Sequence, residues 1–415
     1  MSDHARLSPS GSKKWFACPG SLALEAFVPN VPNDYSDDGT ACHHVLEQCL
    51  KQHIAGLPGT DADAYVGDEI PVNGSDEPER LFEFTDTMAE KTQIVIDGVI
   101  ALAGEDILTA EERVDFSEDI AIPDQFGTLD VSILRVALKE LCIADAKFGY
   151  RPVPVERNTQ LMTYALAKYR QIELIYEVET VRFFIFQPTL RTEPFEWSCT
   201  IEELLAFAST LRSKGCSVQL AQREFDDWLL DTHEPLDGAP FDLPAALLDM
   251  HPRLKQWAET FLNPRPNAEE CAFCRVMHCC PNASLELQRL ADANFGVIAE
   301  DEAAGRAAVN AVQNYSAPRL SEAMKAAPFM EDWITAVRAE TERKLLRGEE
   351  VEGFGLQLGR QGIRRWRDAA EAEAEFKRQR LNIEQMYNLK LISPTQAEKL
   401  AKVKKPKKGE QAVKP

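Results

Sequence analysis

Three charged residues define the chemistry open to this sequence. Gly127-Thr128-Leu129-Asp130 is followed by Asp145-Ala146-Lys147. Along a strand, residues i and i+2 face the same side, so Asp145 and Lys147 project together. Leu141 and Ile143 share that face, which puts two charges at the end of an apolar row, where burial without a partner is costly. A hairpin of residues 127–136 and 141–148 brings Asp130 alongside. Two carboxylates and a lysine around one point suit metal-dependent hydrolysis of a phosphodiester. Carboxylate oxygens hold Mg²⁺ or Mn²⁺, and the metal polarises phosphate and lowers the pKa of bound water. The lysine orients or deprotonates that water and offsets developing charge. The bare D-x-K tripeptide is common, however, and alone it equally describes a surface ion pair of little energetic weight.

Two helical pairs extend the pattern. Gln160 and Tyr164 lie four residues apart and share a helix face, as do His43 and Glu47. Each pair alone is bland: a half-buried Tyr beside a solvated Gln, a satisfied polar His. In chain order the set reads Gly39-Thr40-x-x-His43, Gly127-x-x-Asp130, Asp145-x-Lys147, Gln160-x-x-x-Tyr164. With this arrangement, residues 8–285 resemble the RecB-like branch of the PD-(D/E)XK nuclease superfamily, and in particular a phage- and prophage-encoded group of it. The resemblance implies a restriction-endonuclease-like core and a Mg²⁺- or Mn²⁺-dependent deoxyribonuclease. It implies that His43, Asp130 and Asp145 hold the metal and that Lys147 is catalytic. Gln160 and Tyr164 are then expected to support the site and contact DNA. Glu47 matches a less regular acidic position, and the Ala146 carbonyl is a further ligand by analogy. Exonuclease action in phage or prophage replication or recombination is the activity so implied.

Cys271-x2-Cys274-x5-Cys280 is a second constellation. Four thiolates are the usual set for an iron–sulfur cluster or a structural zinc. The fourth ligand is either Cys18, in Trp15-Phe16-Ala17-Cys18-Pro19, or a local one, since His278 and Cys279 could complete a zinc site. The pattern is similar to the AddB-like iron–sulfur nucleases, in which one cysteine precedes the nuclease core and three follow it. That likeness implies a [4Fe-4S] cluster on Cys18, Cys271, Cys274 and Cys280, clasping the two ends of the domain. Cys42, Cys49, Cys142, Cys199 and Cys216 have no metal spacing and read as small apolar residues.

These residues need elements to hold them. Apolar periodicity predicts helix character over 8–28, a helix from Gly39-Thr40 to about His53, a surface loop over 56–79 and a helix over 81–102. It then predicts a strand over 107–116, the hairpin, a helix over 159–170 and a buried strand over 180–187. The order helix, helix, three strands, helix, strand argues for an α/β or α+β domain with a mixed sheet. Helices are expected over 201–221, near 244–261, over 285–346 and over 369–400, with a hairpin near 353–365. The division that follows is a nuclease domain over 1–290, a mostly helical domain over 291–401 and a disordered Lys-rich tail over 402–415.

The chain has 415 residues, with 46 Lys and Arg against 67 Asp and Glu, a net charge of −21. That excludes a uniformly basic DNA coat. Residues 351–415 are the exception, with 15 basic against 8 acidic side chains. There Arg360, Arg364, Arg365 and Arg367 interleave with Trp366. They form either a DNA-binding surface with a stacking aromatic or a solvated face neutralised by Glu371, Glu373 and Glu375. No apolar run is long enough for a membrane span, and residues 1–20 carry no secretory h-region. A cytoplasmic protein with reduced or metal-bound cysteines is expected. No phosphate-loop motif occurs, so the expected partners are DNA and a separate helicase or a single-strand-binding or annealing protein. Two other readings compete: a catalytically silent DNA-binding scaffold, and a zinc-stabilised interaction protein.

Overall fold

The apolar runs in the middle of the chain form the centre of a five-stranded sheet. The computed structural model describes residues 5–28, 34–57, 61–72, 80–232, 251–295, 316–356 and 369–378, with Leu243, Leu247 and Arg380. The chain divides into two compact units, Met1–Val351 and Glu352–Pro415.

In the first unit, α1 (Ser12–Ala17) and α2 (Ser21–Glu25) precede the long α3 (Asp34–Ile54). A ribbon of β1 (Glu69–Pro71) and β2 (Leu81–Glu83) leads into α4 (Asp86–Ala103). The main sheet follows: β3 (Ile107–Asp115), then the short α5 (Ser117–Ile120), then β4 (Phe126–Arg135) and β5 (Glu140–Ala146). Helix α6 (Thr159–Ile172) crosses over to β6 (Thr180–Phe186), and β7 (Phe195–Thr200) closes the sheet. Sheet order is β3-β4-β5-β6-β7. Only the β5–β6 pairing is parallel, as a helical crossover requires. Beyond the sheet lie α7 (Ile201–Thr232), α8 (Pro252–Phe261), α9 (Pro281–Phe295) and α10 (Ala317–Leu346). The second unit contributes α11 (Ala369–Arg378).

Each sheet face carries a helical layer. Val45, Leu46, Cys49 and Leu50 of α3 and Val95, Ile96 and Val99 of α4 bury against Cys142, Ala144, Phe184 and Phe186. On the other face, Leu161, Ala165 and Leu166 of α6 and Leu204 and Leu211 of α7 bury against Leu141, Ile143, Phe183 and Ile185. The expected mixed α/β architecture is therefore present, with its strands in the expected order.

Several expected boundaries differ. The helix expected over 81–102 begins only at Asp86, because residues 81–83 pair with 69–71 and Thr85 caps α4, its hydroxyl accepting the Met88 N–H at 3.4 Å. The loop expected over 56–79 accordingly contains a strand. Gly98 sits inside α4 because a Cβ there would stand 2.5 Å from the Phe186 ring. Helix α3 opens at Asp34, ahead of Gly39, and α7 runs on to Thr232. The expected elements include no strand at Phe195–Thr200, where β7 forms. Its residues in fact alternate apolar and polar, and burial follows them, but the run is only six residues long at the sheet edge and buries little. Among the described residues no helix is long and apolar enough to cross a membrane.

Candidate metal centre

The centre forms where two strands change faces together. Leu108 and Ala110 pack toward α3 and α4, yet Val114 and Phe116, of the same parity, pack toward α6 and α7. On β4, Val131 and Ile133 face the first layer and Leu129 the second. The register is unbroken across the change, Ala110 opposite Val131 and Glu112 opposite Leu129. No residue has been inserted; instead Glu111 adopts φ of +49°. A non-glycine residue there costs on the order of 1–3 kcal/mol and tends to mark a functional site. Glu111 and Asp130 lie at the level of the reversal. Their carboxylate oxygens and a ring nitrogen of His43 all lie within 4.8 Å of one another.

Sequence reasoning missed Glu111. The only signal was the pair of adjacent carboxylates, Glu111-Glu112, interrupting an apolar strand. Burial, then the charges of Asp130 and Glu47, push the Glu111 carboxyl up to about 8.

The other predicted residues converge on the same place. Asp145, 3% exposed at its side chain, lies one residue before the end of β5, and its Oδ2 stands 2.7 Å from Lys147 Nζ. That contact is one of charge, since Oδ2 receives no properly aimed hydrogen bond. Its other oxygen accepts from Gln160 Nε2 at 2.8 Å, while Lys147 Nζ donates to Gln160 Oε1 at 3.3 Å. Gln160 is placed by its helix cap, for Asn158 Oδ1 accepts the backbone N–H of Gln160 at 3.0 Å and of Leu161 at 3.2 Å. Asp130 Oδ2 accepts the Ala146 N–H at 2.9 Å, locking the hairpin pair at this level. Burial raises the Asp145 carboxyl, against the pull of Lys147. Burial disfavours the Lys147 ammonium, but Asp145 and Asp130 outweigh it and its pKa is raised.

His43 is the histidine of the set. Its Nδ1 lies 3.5 Å from Asp130 Oδ2, and its ring meets Phe148 edge-on at 5.2 Å. Glu47 is paired with Lys51 instead. Tyr164 is buried, and burial raises its hydroxyl pKa. Its ring explains Gly127, where a Cβ would stand 2.6 Å from Tyr164 and 2.9 Å from Pro9.

The cysteines form a separate centre. Cys18, Cys271, Cys274 and Cys280 line one small cavity with Lys14, Ser21 and Asn263. The Asn263 N–H donates to Cys18 Sγ at 3.3 Å. Cys279 Sγ instead reaches the Val276 carbonyl at 3.5 Å, and His278 Nε2 lies 3.7 Å from Glu340. Burial pushes the Cys18 thiol up to about 12 and Cys271 up to about 11. Each thiol also feels its neighbours, Cys18 those of Cys280 and Cys271. The Ser21 hydroxyl, buried in the wall, has no hydrogen-bond partner among the described residues.

A family model described as "Protein of unknown function (DUF2800)" matches residues 4–234 and 244–414. The chain belongs to the DUF2800 family. The first matched segment of this DUF2800 chain carries His43, Glu111, Asp130, Asp145, Lys147, Gln160, Tyr164 and Cys18. The second carries Cys271, Cys274 and Cys280. Arg364, Arg365 and Arg367 and the Lys-rich tail lie within the second segment but outside the described residues.

Proposed function

We propose that this protein is a Mg²⁺- or Mn²⁺-dependent deoxyribonuclease of PD-(D/E)XK, RecB-like type, acting as an exonuclease. The observation that carries the reading is the meeting of His43, Glu111 and Asp130 with the Asp145–Lys147–Gln160 group at the end of β5. The donor set, hard oxygens with one imidazole, fits a divalent cation. The under-satisfied, buried Asp145 Oδ2 supports the same conclusion. His43, Glu111, Asp130 and Asp145 would hold the ion. Bound there, it would supply Lewis acidity to a phosphate and lower the pKa of water.

The chain's own residues account for the rest. Lys147, kept cationic by two carboxylates, offsets charge developing on the phosphodiester and orients the attacking water. Gln160 bridges Lys147 and Asp145, so both keep one orientation. Phe148 limits rotation of the His43 ring.

The cysteine set fits a [4Fe-4S] cluster on Cys18, Cys271, Cys274 and Cys280. Among the described residues, only His43, Glu111 and Asp130 bring three ligand atoms within 4.8 Å of one another. The four sulfurs are thus spread wider than the roughly 3.8 Å that tetrahedral zinc with ~2.3 Å bonds imposes. The unpartnered Ser21 hydroxyl in the cavity wall is a ready donor to a cluster sulfur. Cluster and divalent ion would have distinct roles, the first closing the fold and the second serving the chemistry.

The test is cleavage of end-labelled single- and double-stranded linear DNA with Mg²⁺ or Mn²⁺, using anaerobically purified protein beside Lys147→Ala. Cleavage by the wild type alone supports the reading. Intact DNA with both proteins, with DNA still bound, favours a silent scaffold. Equal cleavage by both overturns the assignment of Lys147. Metal analysis of the same preparation checks the cluster, and stoichiometric zinc without iron rejects it.

A further inference from the structure

The segment between Lys147 and Gln160 is gripped at its start by α10 and the cysteine-bearing loop, and at its end by α1, which leads to Cys18. At its start, Arg151 donates to both carboxylate oxygens of Asp332 on α10, at 2.7 and 3.1 Å. It also donates to the Ala268 carbonyl at 3.1 Å, and its guanidinium lies 5.6 Å from the Phe273 ring. Phe273 sits between Cys271 and Cys274, and Ala268 packs with Cys271, Cys274 and Cys280 around Met277 and Phe329. At the segment's other end, the hydroxyls of Ser12 and Thr159 bond at 2.7 Å. Ser12 opens α1, whose C-cap is Cys18, and Thr159 immediately precedes Gln160.

Within the segment, residues 149–153 behave as one stapled turn. The buried Gln187 amide donates to the Gly149 and Arg151 carbonyls at 2.8 Å and accepts the Val153 N–H at 3.2 Å. A displacement of Arg151 therefore moves the whole turn, and the turn follows Lys147 directly along the chain.

We propose that Arg151 is a positioning residue that couples the cysteine centre to Lys147. An ordered cysteine loop holds Ala268 and Phe273 in place, these hold Arg151, and the stapled turn holds the lysine. Losing the cysteine centre slackens the lysine without removing any residue of the metal centre. The catalytic consequence rests on the nuclease reading above; the coupling itself is independent of activity.

Backbone hydrogen exchange of the full chain tests it, with Cys271→Ser, Arg151→Ala, their double variant and Asp332→Asn. Arg151→Ala is expected to speed exchange in residues 147–153 about tenfold, the loss of one charge-assisted bond pair, while iron content is unchanged. Cys271→Ser is expected to do the same, and the double variant no more than either alone. Asp332→Asn, which leaves the cysteines intact, should speed the same peptides and lower kcat with KM unchanged. Arg151→Lys should restore little, because a lysine lacks the two-pronged geometry. Additive effects in the double variant overturn the coupling, as does unaltered exchange in Cys271→Ser. If Cys271→Ser unfolds globally, unaltered exchange in Asp332→Asn overturns it instead. Coupled exchange in a protein that cuts no DNA would reject the nuclease reading and leave the coupling standing.

Discussion

Glu111 holds a strained backbone and a carboxyl that resists ionisation, and both properties have measurable signatures. With its folded value near 8 and an ordinary value of 4.5, the native protein keeps a proton there that the unfolded chain has already released. Between those values the native state binds more protons, so its stability falls as pH rises. Below about 4.5 both states are protonated and this effect vanishes. Urea titrations in EDTA across that window should show the decline, and Glu111→Gln should flatten it. If a divalent ion binds there as proposed, it would take the place of the proton, and stabilisation by Mg²⁺ should grow across the same window. Glu111→Gly, free to adopt φ of +49°, should stabilise the metal-free protein by about 1 kcal/mol in the same titrations while abolishing Mg²⁺ binding by calorimetry. Lys147→Ala is expected to lower kcat by about 10²-fold or more with the fold intact by circular dichroism. Asp130, Asp145 and Lys147 were legible because strand periodicity and residue type suffice to place them. Glu111 was not, since a left-handed torsion in mid-strand leaves no mark in the residue type.

Among the elements, the hairpin β4–β5 and the crossover helix α6 carry the site, and small residues let them meet. Gly127→Ala places a Cβ 2.6 Å from the buried Tyr164 ring, and neither β4 nor α6 can shift freely. A loss of roughly 1–3 kcal/mol is expected in denaturant titrations, along with weaker cleavage, since Tyr164 and Gln160 share that helix. The sequence made these elements readable wherever apolar periodicity was strong, as over Thr180–Phe186 and Thr159–Ile172. It failed at β2, where Leu81-Phe82-Glu83 continues into α4 without a change of composition, and at β7, whose apolar–polar alternation lasts only six residues. Only pairing with Glu69–Pro71 distinguishes β2 from a helix start.

Across unit Met1–Val351, the N-terminal segment is joined to the stretch from Phe225 to Val276. Ala23 and Leu24 pack with Phe225, Trp257, Phe261 and Val276, and the Gly20 N–H donates to the Phe261 carbonyl at 2.9 Å. If the four cysteines bind one cluster, Cys18→Ser and Cys280→Ser should lower the melting temperature by similar amounts, and the double variant should lower it little further. Fully additive losses in a thermal scan would mean independent thiols. The −21 charge makes DNA approach an uphill encounter for most of the surface. Removing the Lys-rich residues 402–415 should therefore weaken DNA binding and flatten its salt dependence in anisotropy titrations. The joined arms also order events in time. Ribosomes deliver the chain from its N-terminus, so every residue of the metal centre has emerged by Tyr164, long before Cys280 is made. A nascent chain thus carries the whole acidic site while its later cysteines are still unsynthesised; if the four thiols do bind one cluster, its assembly would set a delay between translation and a closed fold.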